Sequence, residues 1–214
     1  MADAGKDSAL LIIDVQNDFC PGGNLAVEAG DEVVPVINSI MPFFSRVIAT
    51  QDWHPPDHVS FASTYPTRKP LDVVEADGIE QVLWPDHCVQ GTRGADLHPR
   101  LETARIGLLL RKGMRRGLDS YSAFFENDHR TDTGLRHYLK GVKLRELFIC
   151  GLATDYCVLA SALDARRLGF RVSLVRDACR GVDFPNGGIE RAIAAMQKAG
   201  VLMTESASFE HLSA

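Results

Sequence analysis

The stretch FICGLATDYCVLASALDARRLG (148–169) decides how this chain folds. Its short apolar opening breaks at Gly151, and a small polar patch follows. From Cys157 to Leu168 the apolar positions recur at helical spacing. Val158, Ala162 and Ala165 fall on one face, with Leu159 and Leu163 beside them, and Gly169 supplies a C-terminal stop. Thr154 or Asp155 can serve as the N-cap, which puts Cys157 in the first helical turn.

The same strand–turn–helix unit recurs outward from there. ALLIID (9–14), RVIATQD (46–52), IGLLLRK (106–112), ELFICG (146–151), FRVSLVRDA (170–178) and VLMTE (201–205) read as strands. DEVVPVINSIMPFF (31–44) reads as a helix with Pro35 in its first turn and Pro42 near its end. NGGIERAIAAMQKAG (186–200) reads as a capped helix. Apolar-throughout strands alternating with helices predict an α/β fold. It is a six-stranded parallel sheet with helices on both faces, a Rossmann-like three-layer sandwich. No repeat or linker divides residues 1–214, so one domain is expected. Residues 53 to about 104 break the pattern: they are rich in Pro, His, Asp and Gly. Loops beyond roughly 15 residues are uncommon unless they serve function, so this one is expected to hold metal and cover substrate.

Composition narrows the class. A net charge of −5 and the lack of any Lys/Arg run argue against a nucleic-acid partner. No apolar run nears the ~20 residues of a membrane span. The apolar run in MADAGKDSALLIID is too short for a signal peptide, so a cytoplasmic protein is expected. Five cysteines with no C-x-x-C speak against a disulfide framework or a zinc knuckle. Neither G-x-G-x-x-G nor a Walker-type loop follows any strand, which lowers a nucleotide-binding reading. No exposed apolar stripe fixes the oligomeric state, and a homo-oligomer stays open.

Four chemical groups share one position in this architecture. Asp14, Asp52 and Lys112 end the first three strands, and Cys157 follows the fourth. Open parallel sheets bind ligands beyond the carboxyl ends of their strands. Singly, each has an ordinary explanation: an ion pair, a snorkelling lysine, a packed thiol. Together, an acid, a Lys and a Cys around one crevice make an activated nucleophile, with the helix dipole and the lysine lowering the thiol's pKa. A second set is Asp52 and His54 in DWH, joined by His87 of WPDHC. Two imidazoles and one carboxylate suit a single divalent ion: Zn²⁺ first, with Fe²⁺ and Mn²⁺ also suited. Ser60 and His58 are weaker candidates for further ligands. His58, His98, His129, His137 and His211 are otherwise read as solvated loop histidines, and Asp177 as a turn residue.

The chain resembles the nicotinamidase branch of the isochorismatase-like cysteine hydrolases. The matching pieces are LIIDVQNDFCPGGNLAV, TQDWHPPDHVSFAS, LWPDHCVQGTRGADLH, RKG (111–113), DSYSAF and GLATDYCV, spread from residue 10 to about 185. The resemblance implies that Asp14, Lys112 and Cys157 are a catalytic triad and that Asp52, His54 and His87 hold the metal. It implies that Phe19, Trp84 and Tyr121 hold the substrate ring. It implies a cis peptide at Leu152–Ala153 and an oxyanion hole made by the N–H groups of Ala153 and Cys157. The implied reaction is hydrolysis of nicotinamide to nicotinate and ammonia in NAD salvage, through a cysteine thioester, with pyrazinamide also accepted. The alternative is an amidohydrolase of the same superfamily acting on a ureide or carbamoyl group. Such relatives share the triad but generally lack the DWH…H set. The segment 64–82 matches no family motif.

Overall fold

The computed structural model describes residues 5–210, and His211 lies outside them. Six strands form one parallel sheet: β1 (Ser8–Ile13), β2 (Val47–Asp52), β5 (Leu108–Lys112), β6 (Glu146–Leu152), β7 (Arg171–Arg180) and β8 (Leu202–Thr204). Their order across the sheet is β5-β2-β1-β6-β7-β8. Alternate residues of a strand point to opposite faces. Every residue of β1 and of β2 is buried, so both faces of the sheet centre are covered. At the edge, β5 alternates half-buried and exposed positions until Lys112, which is buried.

Helices α1 (Val33–Ile40), α3 (Leu159–Arg167) and α4 (Gly188–Lys198) stand where the periodicity predicts them. α1 buries Val33, Val34, Ile37 and Ile40, and a 3₁₀ turn at Met41–Phe43 takes over where Pro42 ends the α-helix. Two helices had no counterpart in the sequence reading: α2 (Leu135–Gly141) and the short α5 (Ala207–Glu210). α2 buries only Leu135 and Leu139, too few positions for a periodic signal.

Where strand ends differ from expectation, they do so by one or two residues. β1 stops at Ile13 because Asp14 turns to φ 49°. β5 begins at Leu108 because a 3₁₀ turn occupies Thr103–Arg105. β7 runs past Asp177 to Arg180 after a register shift against β6 between Ile149 and Gly151. Gly151 (φ 111°) is required there: a Cβ would lie 2.1 Å from the Ile13 carbonyl oxygen. The long segment between β2 and β5 is not structureless. It contains a two-stranded antiparallel hairpin, β3 (Val73–Ala76) and β4 (Ile79–Val82), and isolated bridges pair His54 with Val89 and Phe61 with Trp84.

The helix after β6 starts differently from expectation. Thr154–Val158 form a π-helical turn, Ala153 occupies the N-cap position, and no side chain caps the helix. Asp155 instead turns its carboxylate to the backbone N–H groups of Val182 (3.0 Å) and Asp183 (2.8 Å).

Candidate functional site

The sheet order sets β5, β2, β1 and β6 side by side, so Lys112, Asp52, Asp14 and the turn bearing Cys157 meet at one edge. Asp52 pairs in register with Lys112, and Ile13 with Gly151. Gln16 fixes the end of β2: its side chain donates to Asp52 O and accepts from Asp52 N, each at 2.8 Å.

Lys112 is buried at the centre of the cluster. Its ammonium donates to Asp52 Oδ1 (2.5 Å), Ser120 O (2.8 Å) and Cys157 Sγ (3.4 Å). An ammonium has three protons, and these three acceptors use them. Asp14 Oδ2 lies 2.9 Å from the same nitrogen as an ion pair, yet has no directed hydrogen bond. That oxygen therefore keeps a lone pair for another proton. Asp14 Oδ1 accepts from Thr50 Oγ1 at 2.6 Å, and Asp14, Asp52 and Cys157 offer atoms within 4.8 Å of one another.

Burial and charge divide the labour. Burial pushes the Asp14 carboxyl up to about 6, against the pull of Lys112. Burial also raises Asp52, but Lys112 and His54 outweigh it and hold that carboxyl well below the usual range. Burial lowers the Lys112 ammonium, but Asp14 and Asp52 more than reverse this. The Cys157 thiol is pushed well above its ordinary value by burial, with Lys112 pulling the other way. The sequence reading expected the lysine and helix dipole to lower it. Burial outweighs that pull, and the Asp14 carboxyl stands where it can take the thiol proton.

Asp52, His54 and His87 are buried and bring ligand atoms within 4.8 Å of one another. Their second contacts fit a metal. His54 Nδ1 meets Gly113 O at 2.8 Å and His87 Nδ1 meets Pro85 O at 2.7 Å. Carbonyl partners put the proton on Nδ1 of each ring and leave the Nε2 lone pair for an ion. Asp52 gives Oδ1 to Lys112, while Oδ2 lies 3.7 Å from His54 Nε2. One carboxylate thus joins the triad to the metal set.

His58 corrects the solvated reading. It is fully buried, stacked on His54 with ring centroids 4.1 Å apart. Its Nδ1 meets Ser60 Oγ at 2.7 Å and its Nε2 meets Leu118 O at 3.4 Å. Both ring nitrogens are thus engaged, though His54, His58 and Asp119 also bring ligand atoms together. His98 is half-buried, and His129 and His137 are exposed. Asp177 lies within β7 and accepts from the Ser206 N–H (2.9 Å) and hydroxyl, so it ties two distant segments together rather than closing the turn expected of it.

A narrow cavity of ≈ 30 Å³ opens on Cys157. Phe19, Trp84, Tyr121 and Ala153 line it as expected, with Asp52 and His87 at its polar side. Leu25, Tyr156 and Val182 also line it and were missed. Tyr156 stands edge-on to Trp84 at 4.9 Å, and Trp84 Nε1 donates to Tyr121 Oη at 3.1 Å. Tyr156 was findable, since it adjoins Cys157 in TDYC. Leu25 and Val182 carried no local signal. The peptide bond Leu152–Ala153 is cis. A larger hollow of ≈ 340 Å³ beside Arg176, Asp177 and Ile193 contains none of the triad.

The isochorismatase domain family matches residues 8–208. The nicotinamidase of Acinetobacter baylyi is 46% identical over 92% of this chain and 91% of its own length. That of Escherichia coli is 44% identical over 94% and 96%. The solved nicotinamidase/pyrazinamidase of Acinetobacter baumannii superposes with a TM-score of 0.94 at 46% identity, covering 97% of this chain and all of that one. Yeast nicotinamidase bound to the inhibitor nicotinaldehyde gives 0.85 at 28% identity, covering 92% and 99%. The pyrazinamidase of Pyrococcus horikoshii in complex with zinc gives 0.74 at 33% identity, covering 93% and 99%.

Proposed function

The chain belongs to the isochorismatase domain family, and from that premise we infer that it hydrolyses nicotinamide to nicotinate and ammonia. The observation that carries this reading is one meeting point. The buried triad Asp14–Lys112–Cys157 abuts the metal set Asp52–His54–His87 through the shared Asp52, at the floor of a small aromatic cavity.

Each group has a step that its surroundings suit. The Asp14 carboxylate accepts the Cys157 thiol proton on its free Oδ2 lone pair. Lys112, 3.4 Å from Sγ, stabilises the thiolate as it forms. Sulfur attacks the amide carbon, and the carbonyl electron pair moves to oxygen, which accepts from the N–H groups of Ala153 and Cys157. Asp14 passes its proton to the amide nitrogen, the C–N bond breaks, and ammonia leaves a thioester. Asp14 then deprotonates a water that attacks the thioester carbon, and the proton returns to sulfur as nicotinic acid leaves, which ionises to nicotinate by giving its proton to water or the released ammonia. A carboxyl near 6 can both take and give a proton close to neutral pH.

Asp52, His54 and His87 would hold one divalent ion, zinc first. When bound, it supplies a Lewis-acid site for the ring nitrogen of a pyridine amide. Phe19, Trp84 and Tyr121 clasp the ring, and pyrazinamide fits for the same reason. All five cysteines are free thiols, which suits a reducing, cytoplasmic setting, and the reaction itself would serve NAD salvage. The other four are buried, with thiols raised by burial wherever shifted. The test is ammonia release from nicotinamide by Cys157→Ala beside the unaltered protein. Complete loss is expected, and substantial residual turnover would sink the covalent mechanism.

A further inference from the structure

Asp155 has no part in the chemistry above, yet it stands on the π-helical turn between the two oxyanion-hole residues, Ala153 and Cys157. Its two carboxylate oxygens accept separate backbone N–H groups: Oδ1 from Val182 at 3.0 Å and Oδ2 from Asp183 at 2.8 Å. The opposing chain closes tightly around it. A Cβ on Gly181 would lie 2.9 Å from Oδ1, and one on Gly188 would lie 3.0 Å from Oδ2. The next residue adds a third tie, since the Tyr156 hydroxyl donates to Phe184 O at 2.8 Å. The far side of this segment is anchored in turn, where Asp183 Oδ1 accepts the Ile189 N–H of α4 at 3.1 Å. Val182, held between these bonds, is a wall of the substrate cavity.

We propose that Asp155 is a positioning residue: by clamping residues 182 and 183 it fixes the turn that aims the Ala153 and Cys157 N–H groups. Bonds from backbone N–H to a carboxylate are roughly twice as strong as neutral ones. An oxyanion hole works only if its donors are in place before charge develops, within about 2.7–3.1 Å of the oxyanion. No side chain caps this helix: within the turn Tyr156 N and Val158 N donate to Ala153 O, and the Asp155 clamp ties the turn to the opposing chain. Asp14 and Lys112 do not depend on it, since they come from other strands.

The test separates oxyanion binding from general damage and rests on the nicotinamidase reading. Nicotinaldehyde reports the hole. The Cys157 sulfur adds to its carbonyl carbon, the C=O π pair moves to oxygen, and the thiol proton goes to Asp14. Nicotinate, already anionic and planar, reports the pocket without that adduct. In Asp155→Ala, kcat for nicotinamide is expected to fall about 100-fold, the scale set by loss of one oxyanion donor. Nicotinaldehyde should weaken by at least about tenfold, while nicotinate binding and KM change less than about threefold. The rate and pH dependence of Cys157 alkylation by iodoacetamide should stay as in the unaltered protein. Asp155→Asn keeps one acceptor oxygen and should show the same pattern at smaller scale. It decides the question if the alanine variant does not fold. Equal weakening of nicotinaldehyde and nicotinate, or no change in either, overturns the proposal. An unaltered protein that neither binds nicotinaldehyde nor releases ammonia overturns the nicotinamidase reading itself.

Discussion

Replacing Gly113 with alanine tests how the metal set is held. Gly113 follows β5 at φ 61°, and its carbonyl accepts the His54 Nδ1 proton at 2.8 Å. A Cβ there would lie 2.4 Å from His54 Cε1 and 2.7 Å from Nδ1. Ordinary contact begins near 3.4 Å, so the ring must retreat by about 1 Å. It has little room, because His58 stacks on one side and Phe61 and His87 pack edge-on. The left-handed backbone costs an alanine roughly 1–2 kcal/mol. Losing the buried bond to the carbonyl adds about 1–3 kcal/mol. At about 2–4 °C per kcal/mol for a domain of this size, Tm should fall by roughly 4–20 °C. Without its carbonyl partner His54 loses orientation, and metal affinity should drop about 10–100-fold. Calorimetry gives the first quantity, and competition for zinc against a chelator of known affinity gives the second. Cys157 alkylation should be unaffected, since His54 does not touch the thiol. Metal affinity and Tm both at the unaltered level would refute the steric argument.

Two further predictions concern the triad. Asp14 must be ionised to take the thiol proton, and burial raises it to about 6, so kcat/KM should fall tenfold per pH unit below that point. Asp14→Asn should cost about 10²–10⁴ in kcat and remove the acid limb of the profile; an unchanged limb would assign it to another group. Lys112→Met leaves Asp14 and Asp52 buried without their cation, which should cost about 3–5 kcal/mol in a denaturant titration. A loss below about 1 kcal/mol, the value of a surface pair, would contradict the central role given to that ammonium.

Much of this site was legible because its parts end successive strands. Asp14, Asp52 and Lys112 each close an apolar run, and a parallel sheet gathers such ends. DWH and WPDHC then supplied three buried residues whose ligand atoms converge as a candidate metal set. What stayed hidden depends on contacts made across long separations. His58 looks like a loop histidine, and its local partners His54 and Ser60 do not reveal that its Nε2 meets the Leu118 carbonyl, far along the chain. Asp155 looked like a helix cap, because nothing local reveals that residues 182 and 183 fold back onto its carboxylate. The hairpin at 73–82 fully buries only Gln81, and VVEA and IEQV carry no alternation of apolar and polar residues to mark it. The thiol's direction of shift was misread for a related reason: sequence shows that a lysine is present but not how completely the pair is desolvated.

The central claim is that a cysteine triad and a metal set act on one pyridine amide through the shared Asp52. The most direct measurement is ammonia release from nicotinamide by protein stripped of metal and then restored with zinc, iron or manganese. The account predicts that stripping abolishes release and that one of these ions restores it, with Cys157 still open to alkylation throughout. Undiminished release from thoroughly stripped protein would contradict it and favour a metal-free amidohydrolase on the same triad.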